Sequence, residues 1–220
     1  SGGKDSTYAI YLAKKLSHSV DVLLTLYPHS NESHLLHHPN IKFTSLQAES
    51  MKIPQIIEEI SSIDSKVEFE KLDRLVTRAK EDYSIEGIVH GGILSKYQKD
   101  NFSLICEKNN LEIISPLWNT KPESYMKELL EENFEYIITS VSSDGLNDSW
   151  LGQIIDKNGL ENLEKLQKKF RFNLNFEGGE AETFVINCPL FEKPLFIQDS
   201  STDWDGYRGR FEILEAKLKD

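Results

Sequence analysis

Cysteine is nearly missing from this chain. Cys106 and Cys188 are the only two in 220 residues, and they form no Cys-x-x-Cys pair. A disulfide framework and a thiolate zinc site are therefore excluded as organising features, and a reducing compartment, the cytoplasm, is the default expectation. No apolar run approaches the ~18 residues that a membrane-spanning helix needs. No signal peptide, with its basic, apolar and small-residue blocks, is visible. Long runs of lysine or arginine are missing too, and so are internal repeats and low-complexity tracts. With 25 basic against 36 acidic residues the formal net charge is -11. Proteins that grip a phosphate backbone carry basic patches. Nucleic acid is thus a poor expectation as a partner, and a basic protein surface is a better one.

What is present begins at the first residue. Ser1-Gly2-Gly3-Lys4-Asp5-Ser6-Thr7 sets two glycines beside a lysine, an aspartate and hydroxyls, and Tyr8, Ala9, Leu12, Ala13 and Leu16 follow at helical spacing. A glycine turn feeding a helix N-terminus is an anion site, because the first backbone N–H groups have no partner inside the helix. Glycine lets that backbone approach a phosphate closely, and Lys4 adds a full charge. The spacing is not that of a Walker A loop, in which four residues separate a first glycine from the Gly-Lys-Ser/Thr end. A loop of this kind normally follows a strand. The expectation is a short apolar strand, mid-sheet, ahead of Ser1 and missing from the sequence.

Along the chain, apolar strand-length runs alternate with helical patterns. Strands are expected at 20–26, 55–61, 87–92, 111–115 and 136–141, with the third running into a glycine turn at Gly91 and Gly92. Helices are expected at 44–51, opened by a Thr44/Gln47 capping box, at 67–83, at 96–108, and after Thr120, capped with Glu123. The segment 29–40, with His29, His34, His37 and His38, reads as a loop facing a substrate rather than a metal site. Such alternation predicts an α/β fold, a doubly wound parallel sheet with helices on both faces. Ligands then bind beyond the carboxyl ends of the strands. The loop after Leu26, the turn at Gly91 and Gly92, and Pro116-Leu117-Trp118 all fall there. Past residue 141 the rhythm changes to a helix near 160–170 and strands at 184–187, 194–198 and 210–217. The chain thus divides into residues 1–141 and a smaller mixed α+β region, 142–220, that closes over the crevice.

In that second region Glu177-Gly178-Gly179-Glu180-Ala181-Glu182-Thr183 places three carboxylates around two glycines. An acidic turn can simply be solvated. It can also hold Mg²⁺, orient ammonia or deprotonate ammonium, and spacing does not choose among these.

The first seven residues resemble the PP-loop of the N-type ATP pyrophosphatases, a fold of the adenine-nucleotide α-hydrolase-like (HUP) type. The Glu-Gly-Gly-Glu-x-Glu-Thr run, followed by Asn187-Cys188-Pro189-Leu190-Phe191, resembles the signature of the diphthine–ammonia ligase branch of that family. The likeness continues through His37-His38-Pro39-Asn40, Leu46-Gln47-Ala48-Glu49, Ser95-x-Tyr97-Gln98-Lys99, Gly145-Leu146-x-x-Ser149-Trp150-Leu151-Gly152 and Trp204-Asp205-Gly206. Three positions depart from it: Ala181 stands where an aromatic is usual, Phe176 where glycine is common, and Asn101 where arginine is usual.

The resemblance implies ATP-dependent amidation. A carboxylate of diphthine, on translation elongation factor two, is adenylated, pyrophosphate leaves, and ammonium supplies the nitrogen of diphthamide. It implies ATP binding by Ser1, Gly2, Gly3, Lys4, Asp5 and Ser6, with Gly91 and Gly92 beside the adenosine. Lys4, Glu177, Glu180 and Glu182 would be the catalytic set. A helix N-terminus contributes only about 0.3–1 kcal/mol per anion. That is too little for a triphosphate in an acidic chain, so Mg²⁺ is expected, with Asp5 as its nearest ligand. Cys106, on an apolar helix face, and Cys188, before Pro189, read as core residues rather than as glutaminase nucleophiles, which leaves free ammonium as the nitrogen source. Two other readings remain open. One is a PP-loop tRNA-modifying adenylase, disfavoured by the charge and the missing cysteine pairs. The other is a non-catalytic ATP or AMP sensor.

Overall fold

The computed structural model describes residues 1–28, 39–60 and 64–219. Of the histidine-rich loop expected at 29–40, residues 29–38 lie outside the described residues, and Pro39 and Asn40 open a short 3-10 turn, Pro39–Phe43.

Helix α1, Lys4–Lys15, starts as soon as the glycines end, four residues ahead of the first apolar position in the pattern, Tyr8. Its buried face is Thr7, Tyr8, Ala9 and Ala13, and Lys14 and Lys15 in the last turn complement the helix dipole. β1, Leu23–Pro28, and β2, Gln55–Ile60, pair in parallel, with Leu24 opposite Ile56. Between them α2, Thr44–Met51, has the expected length but not the expected cap. Its N-cap is Phe43 without a side-chain bond, and the Thr44 hydroxyl instead donates to the Ile41 carbonyl at 2.7 Å. α3, Ser65–Tyr83, is capped by Asp64, whose carboxylate accepts the Lys66 amide at 2.9 Å. It lays Leu75, Val76 and Ala79 on the sheet side. β3, Gly87–Val89, and β4, Glu112–Ile114, form a second parallel pair around α4, Lys96–Asn109.

Helix α5, Pro122–Glu131, begins with proline in its first turn after Lys121, so Thr120 and Glu123 make no capping box. β5, Glu135–Val141, departs further from expectation. It does not continue the parallel run. It pairs antiparallel with β6, Ala181–Asn187, and with β8, Gly209–Leu218, in a four-stranded sheet ordered β6-β5-β8-β7, where β7 is Leu195–Trp204. An apolar run buried on both faces looks the same in the middle of either kind of sheet. Only the partner strands reveal the direction, and they come from the far end of the chain. α6, Lys157–Phe170, is capped by Asp156 through the Gly159 amide at 2.7 Å and buries Leu160 and Leu163.

The largest core joins α1, α5, β5 and α6. Tyr8 packs edge-on against Phe134 at 5.1 Å and beside Tyr125 at 5.7 Å. The architecture is mixed α/β: two parallel strand pairs with their helices, and a separate antiparallel sheet. Among the described residues β1 is paired only with β2, and β3 only with β4. No helix of the described residues is long and apolar enough to cross a membrane.

Candidate active site

The two glycine-containing motifs, one at each end of the chain, meet. The Gly2 carbonyl accepts the Val185 amide of β6 at 3.0 Å, and the Lys4 amide donates to the Thr183 hydroxyl at 3.1 Å. Gln47, almost fully buried, donates its side-chain amide to the Gly2 carbonyl at 3.0 Å and to the Val185 carbonyl at 2.7 Å. The phosphate-loop candidate is therefore laced to the strand that leaves the acidic loop. Gly2 has a φ of +72°, and a Cβ there would lie 2.5 Å from the Gln47 oxygen. The N-cap of α1 is Gly3, with no side-chain bond to the first turn. Apart from the Lys4 amide, which goes to Thr183, the amides of that turn are left for an external acceptor.

Lys4 is 2% exposed. Its ammonium donates to both oxygens of Asp5, at 2.8 and 3.0 Å, and to the Asn175 carbonyl at 2.7 Å. It also sits 5.7 Å from the Tyr125 ring centroid and 5.5 Å from that of Phe176. The Tyr125 hydroxyl donates to Asp5 at 2.7 Å. Burial, and after it the Asp5 charge, push the Tyr125 hydroxyl well above its ordinary pKa, so it remains a donor.

A cavity of about 940 Å³ opens beside this cluster. Among the residues lining it are Ser1, Gly2, Asp5, Ser6, Gly91, Gly92, Asn101 and Glu177. Deeper in, consecutive residues of β1 and β3 line it, so it runs along the edges of both strands. Lys4 and Gly3 do not line it, and neither does the Pro116-Leu117-Trp118 segment. Gly91 packs on the first turn of α1 so closely that a Cβ would fall 2.5 Å from the Asp5 carbonyl.

The three glutamates separate. Glu177 lines the cavity, and its carboxylate accepts the Leu94 amide at 3.1 Å. Burial, with the Asp5 charge adding to it, raises its pKa above the ordinary 4.5. Glu180 folds back on its own loop: one oxygen accepts from the Asn173 backbone and side chain at 2.8 and 2.7 Å, and the other accepts the Gly178 amide at 2.8 Å. Glu182 lies in β6 opposite Ser140 and does not line the cavity. Phe176, one residue before the acidic loop, has a φ of +63°, in the left-handed region. Both cysteines are buried, and burial pushes the Cys188 thiol to about 12. Among the described residues no group of three or more His, Cys, Asp or Glu side chains could hold a metal ion. A cation here would need ligands from a bound phosphate besides Asp5.

Gln47, Thr183, Asn175 and Tyr125 were not singled out from the sequence as site residues. Gln47 had a legible signal: Thr44, Gln47, Ala48 and Met51 share the buried face of α2, and an amide on such a face needs partners.

An uncapped glycine-led helix N-terminus, a second glycine turn packed on it and an acidic loop at one cavity define an α/β protein built to hold a charged ligand at a helix end. Two family comparisons narrow that class. The diphthamide synthase N-terminal domain matches residues 1–113, and the diphthamide synthase C-terminal domain matches residues 121–218. The diphthine–ammonia ligase of Bos taurus is 33% identical over 243 residues, covering 100% of this chain and 91% of that protein. Its Homo sapiens counterpart is 32% identical with the same coverage. That of Schizosaccharomyces pombe is 29% identical over 90% of this chain but only 35% of its own length. The chain belongs to the diphthamide synthase family.

Proposed function

We propose that this chain is a diphthine–ammonia ligase. It would convert the diphthine carboxylate of translation elongation factor two to the amide of diphthamide, using ATP and ammonium and releasing AMP and pyrophosphate. The observation that carries this is the lacing of residues 2–4 to β6 at 183–185, which sets Glu177 at the same cavity mouth as the N-terminus of α1.

The residues present fit a nucleotide phosphate. Past Lys4, whose amide goes to Thr183, the Gly3 cap leaves first-turn amides free, and Gly91 leaves no room for a side chain against Asp5. Within this reading Ser1, Gly2 and Ser6, which line the cavity, take phosphate oxygens, Gly3 shapes the loop behind them as the N-cap of α1, and Gly91 and Gly92 flank the adenosine. ATP supplies the leaving group: the carboxyl oxygen departs with AMP, and the ammonium nitrogen takes its place. Lys4 holds Asp5 in one orientation, and Asp5 offers its exposed edge to Mg²⁺. Lys4 thus acts on the departing pyrophosphate as part of a charge pair rather than as a free ammonium. Glu177, with its raised pKa, is the best placed of the three glutamates to take a proton from ammonium. Glu180 shapes the loop that presents Glu177, and Glu182 supports it from β6. The raised thiol pKa values of Cys106 and Cys188 suit core residues, consistent with free ammonium as the nitrogen source.

The same proposal makes the two parallel pairs parts of a doubly wound sheet of PP-loop type. Residues 1–141 would do the ATP binding and the smaller region 142–220 would close on the protein substrate, in the cytoplasm. The acidic surface suits a basic partner, chiefly by speeding encounter.

The test is amidation of purified, diphthine-bearing elongation factor two. AMP and pyrophosphate should form only when both the factor and ammonium are present, with the amide detected on the factor by mass spectrometry. ATP–pyrophosphate exchange driven by tRNA instead would move the chain to the RNA-modifying adenylases. ATP binding without either product would make it a sensor.

A further inference from the structure

His90 stands one residue past β3, immediately before the glycine turn, and nothing in the proposed chemistry uses it. It is 6% exposed. Its backbone amide extends the parallel ladder to the Ile114 carbonyl at 3.1 Å. Its ring stacks on Phe102 of α4 at 4.8 Å and 13°. The Gly92 amide donates to Nδ1 at 3.1 Å, and Nε2 lies 2.6 Å from the Ser115 hydroxyl. Nδ1 is therefore an acceptor, a neutral ring carries its proton on Nε2, and the Ser115 hydroxyl oxygen accepts the hydrogen bond from that Nε2–H. Burial, with the Lys99 charge behind it, lowers the His90 pKa and agrees with a neutral ring.

The consequence lies one residue further on. Gly91, between His90 and Gly92, sits in van der Waals contact with the Asp5 and Ser6 backbone, where not even a Cβ fits. The ring spans this turn on one side and Ser115, just after β4, on the other. It thus fixes the turn to the sheet while Gly91 fixes it to the first turn of α1.

We propose that His90 is a positioning residue for the ATP-facing turn. By accepting the Gly92 amide and donating to Ser115, its neutral ring holds Gly91 and Gly92 at the height where they meet both the Asp5 backbone and the nucleotide. A small displacement in such a contact weakens the binding of ATP in ground state and transition state alike, so it is read in Kd and KM rather than in kcat. The proposal rests on ATP occupying the cavity mouth, as proposed above.

The test compares His90→Phe, which keeps the stack on Phe102 but offers no acceptor, with His90→Asn, whose Oδ1 can replace Nδ1. Ser115→Ala cuts the far end and serves if His90→Phe does not fold. Three readouts are needed: exchange of the Gly92 amide in the ligand-free protein, ATP affinity by calorimetry, and KM for ATP against kcat. Losing one hydrogen bond of this kind corresponds to about a tenfold effect. His90→Phe should speed Gly92 exchange and raise both the ATP Kd and KM by about tenfold, with kcat within about twofold and the thermal midpoint lowered by a few degrees but the fold kept. His90→Asn should restore most of each, and Ser115→Ala should fall between.

Unchanged Gly92 exchange in His90→Phe, or in Ser115→Ala should His90→Phe not fold, would overturn the proposal. So would a failure of folded His90→Asn to rescue. Failure of the ATP reading looks different: the wild type would not bind ATP, while Gly92 exchange would still respond to the substitutions.

Discussion

The carbonyl of Gly2 accepts two hydrogen bonds, one from the Val185 amide and one from the side chain of Gln47, each at 3.0 Å. A glycine in the left-handed region is thereby pinned between a helix and a strand that come from distant parts of the chain. Replacing Gln47 by Ala leaves the Val185 carbonyl without its side-chain donor and loosens the loop. The expected loss is about 1–3 kcal/mol of stability, read by urea unfolding, together with a raised KM for ATP. Unaltered stability would show that the loop is held by β6 alone.

Gly91→Ala forces a Cβ to 2.5 Å from the Asp5 carbonyl and 2.6 Å from the Ser6 nitrogen. Both are backbone atoms and cannot swing aside, so the turn must part from α1. ATP affinity should fall by roughly tenfold or more, measured by calorimetry. A variant that binds ATP normally would separate this turn from the nucleotide site.

Lys4→Ala removes three donors from a buried position and leaves Asp5 with only the Tyr125 hydroxyl. Turnover should drop by roughly 10²–10³, and stability by about 1.5–3 kcal/mol because hydrogen bonds to charged groups are lost. A merely catalytic lysine would lower turnover and leave the denaturation midpoint alone. Both should move here.

Glu177 has a pKa raised chiefly by burial, so the folded protein holds its proton more tightly than the unfolded chain does. Its contribution to stability is therefore complete below 4.5 and is lost as pH rises through the higher folded value. Glu177→Gln should consequently gain stability relative to wild type at pH 7 and little at pH 4. The acid limb of kcat/KM for ammonium should lie above 4.5 in the wild type and vanish in the variant. A stability difference that is flat with pH would mean that the carboxylate is not burdened by burial.

Phe176 pays for its place in the left-handed region while its ring covers Lys4. Alanine there keeps the backbone strain and glycine relieves it. Phe176→Gly should therefore be more stable than Phe176→Ala by about 1 kcal/mol, the reverse of the usual order, as judged from paired denaturant curves. The usual order would remove the strain argument.

Much of this was legible in the residue order. Apolar spacing alone located α3 and α6 to within a few residues, because a long amphipathic face has one way to bury itself. The glycines at 2, 3 and 91 announced close backbone approach, and the fold uses Gly91 in that way. Misread features share one cause: they depend on which segments meet. Gln47 looks like a capping residue until Gly2 and Val185 arrive beside it. β5 looks like a parallel strand until β6 and β8 flank it. His90 looks like an ordinary strand end until Ser115 and Phe102 close around its ring.

By itself, then, the order of residues determined roughly where the helices and most strands lie, which glycines stay small, and which two motifs carry charge. Those properties are local, governed by backbone sterics and by the period of apolar side chains. Only the tertiary structure decided that Glu177 faces the cavity while Glu180 binds its own loop, and that Lys4 spends its donors on Asp5 and Asn175. A hydrogen bond is satisfied by whichever partner packing brings within 3 Å or so, and packing joins residues that the chain keeps far apart.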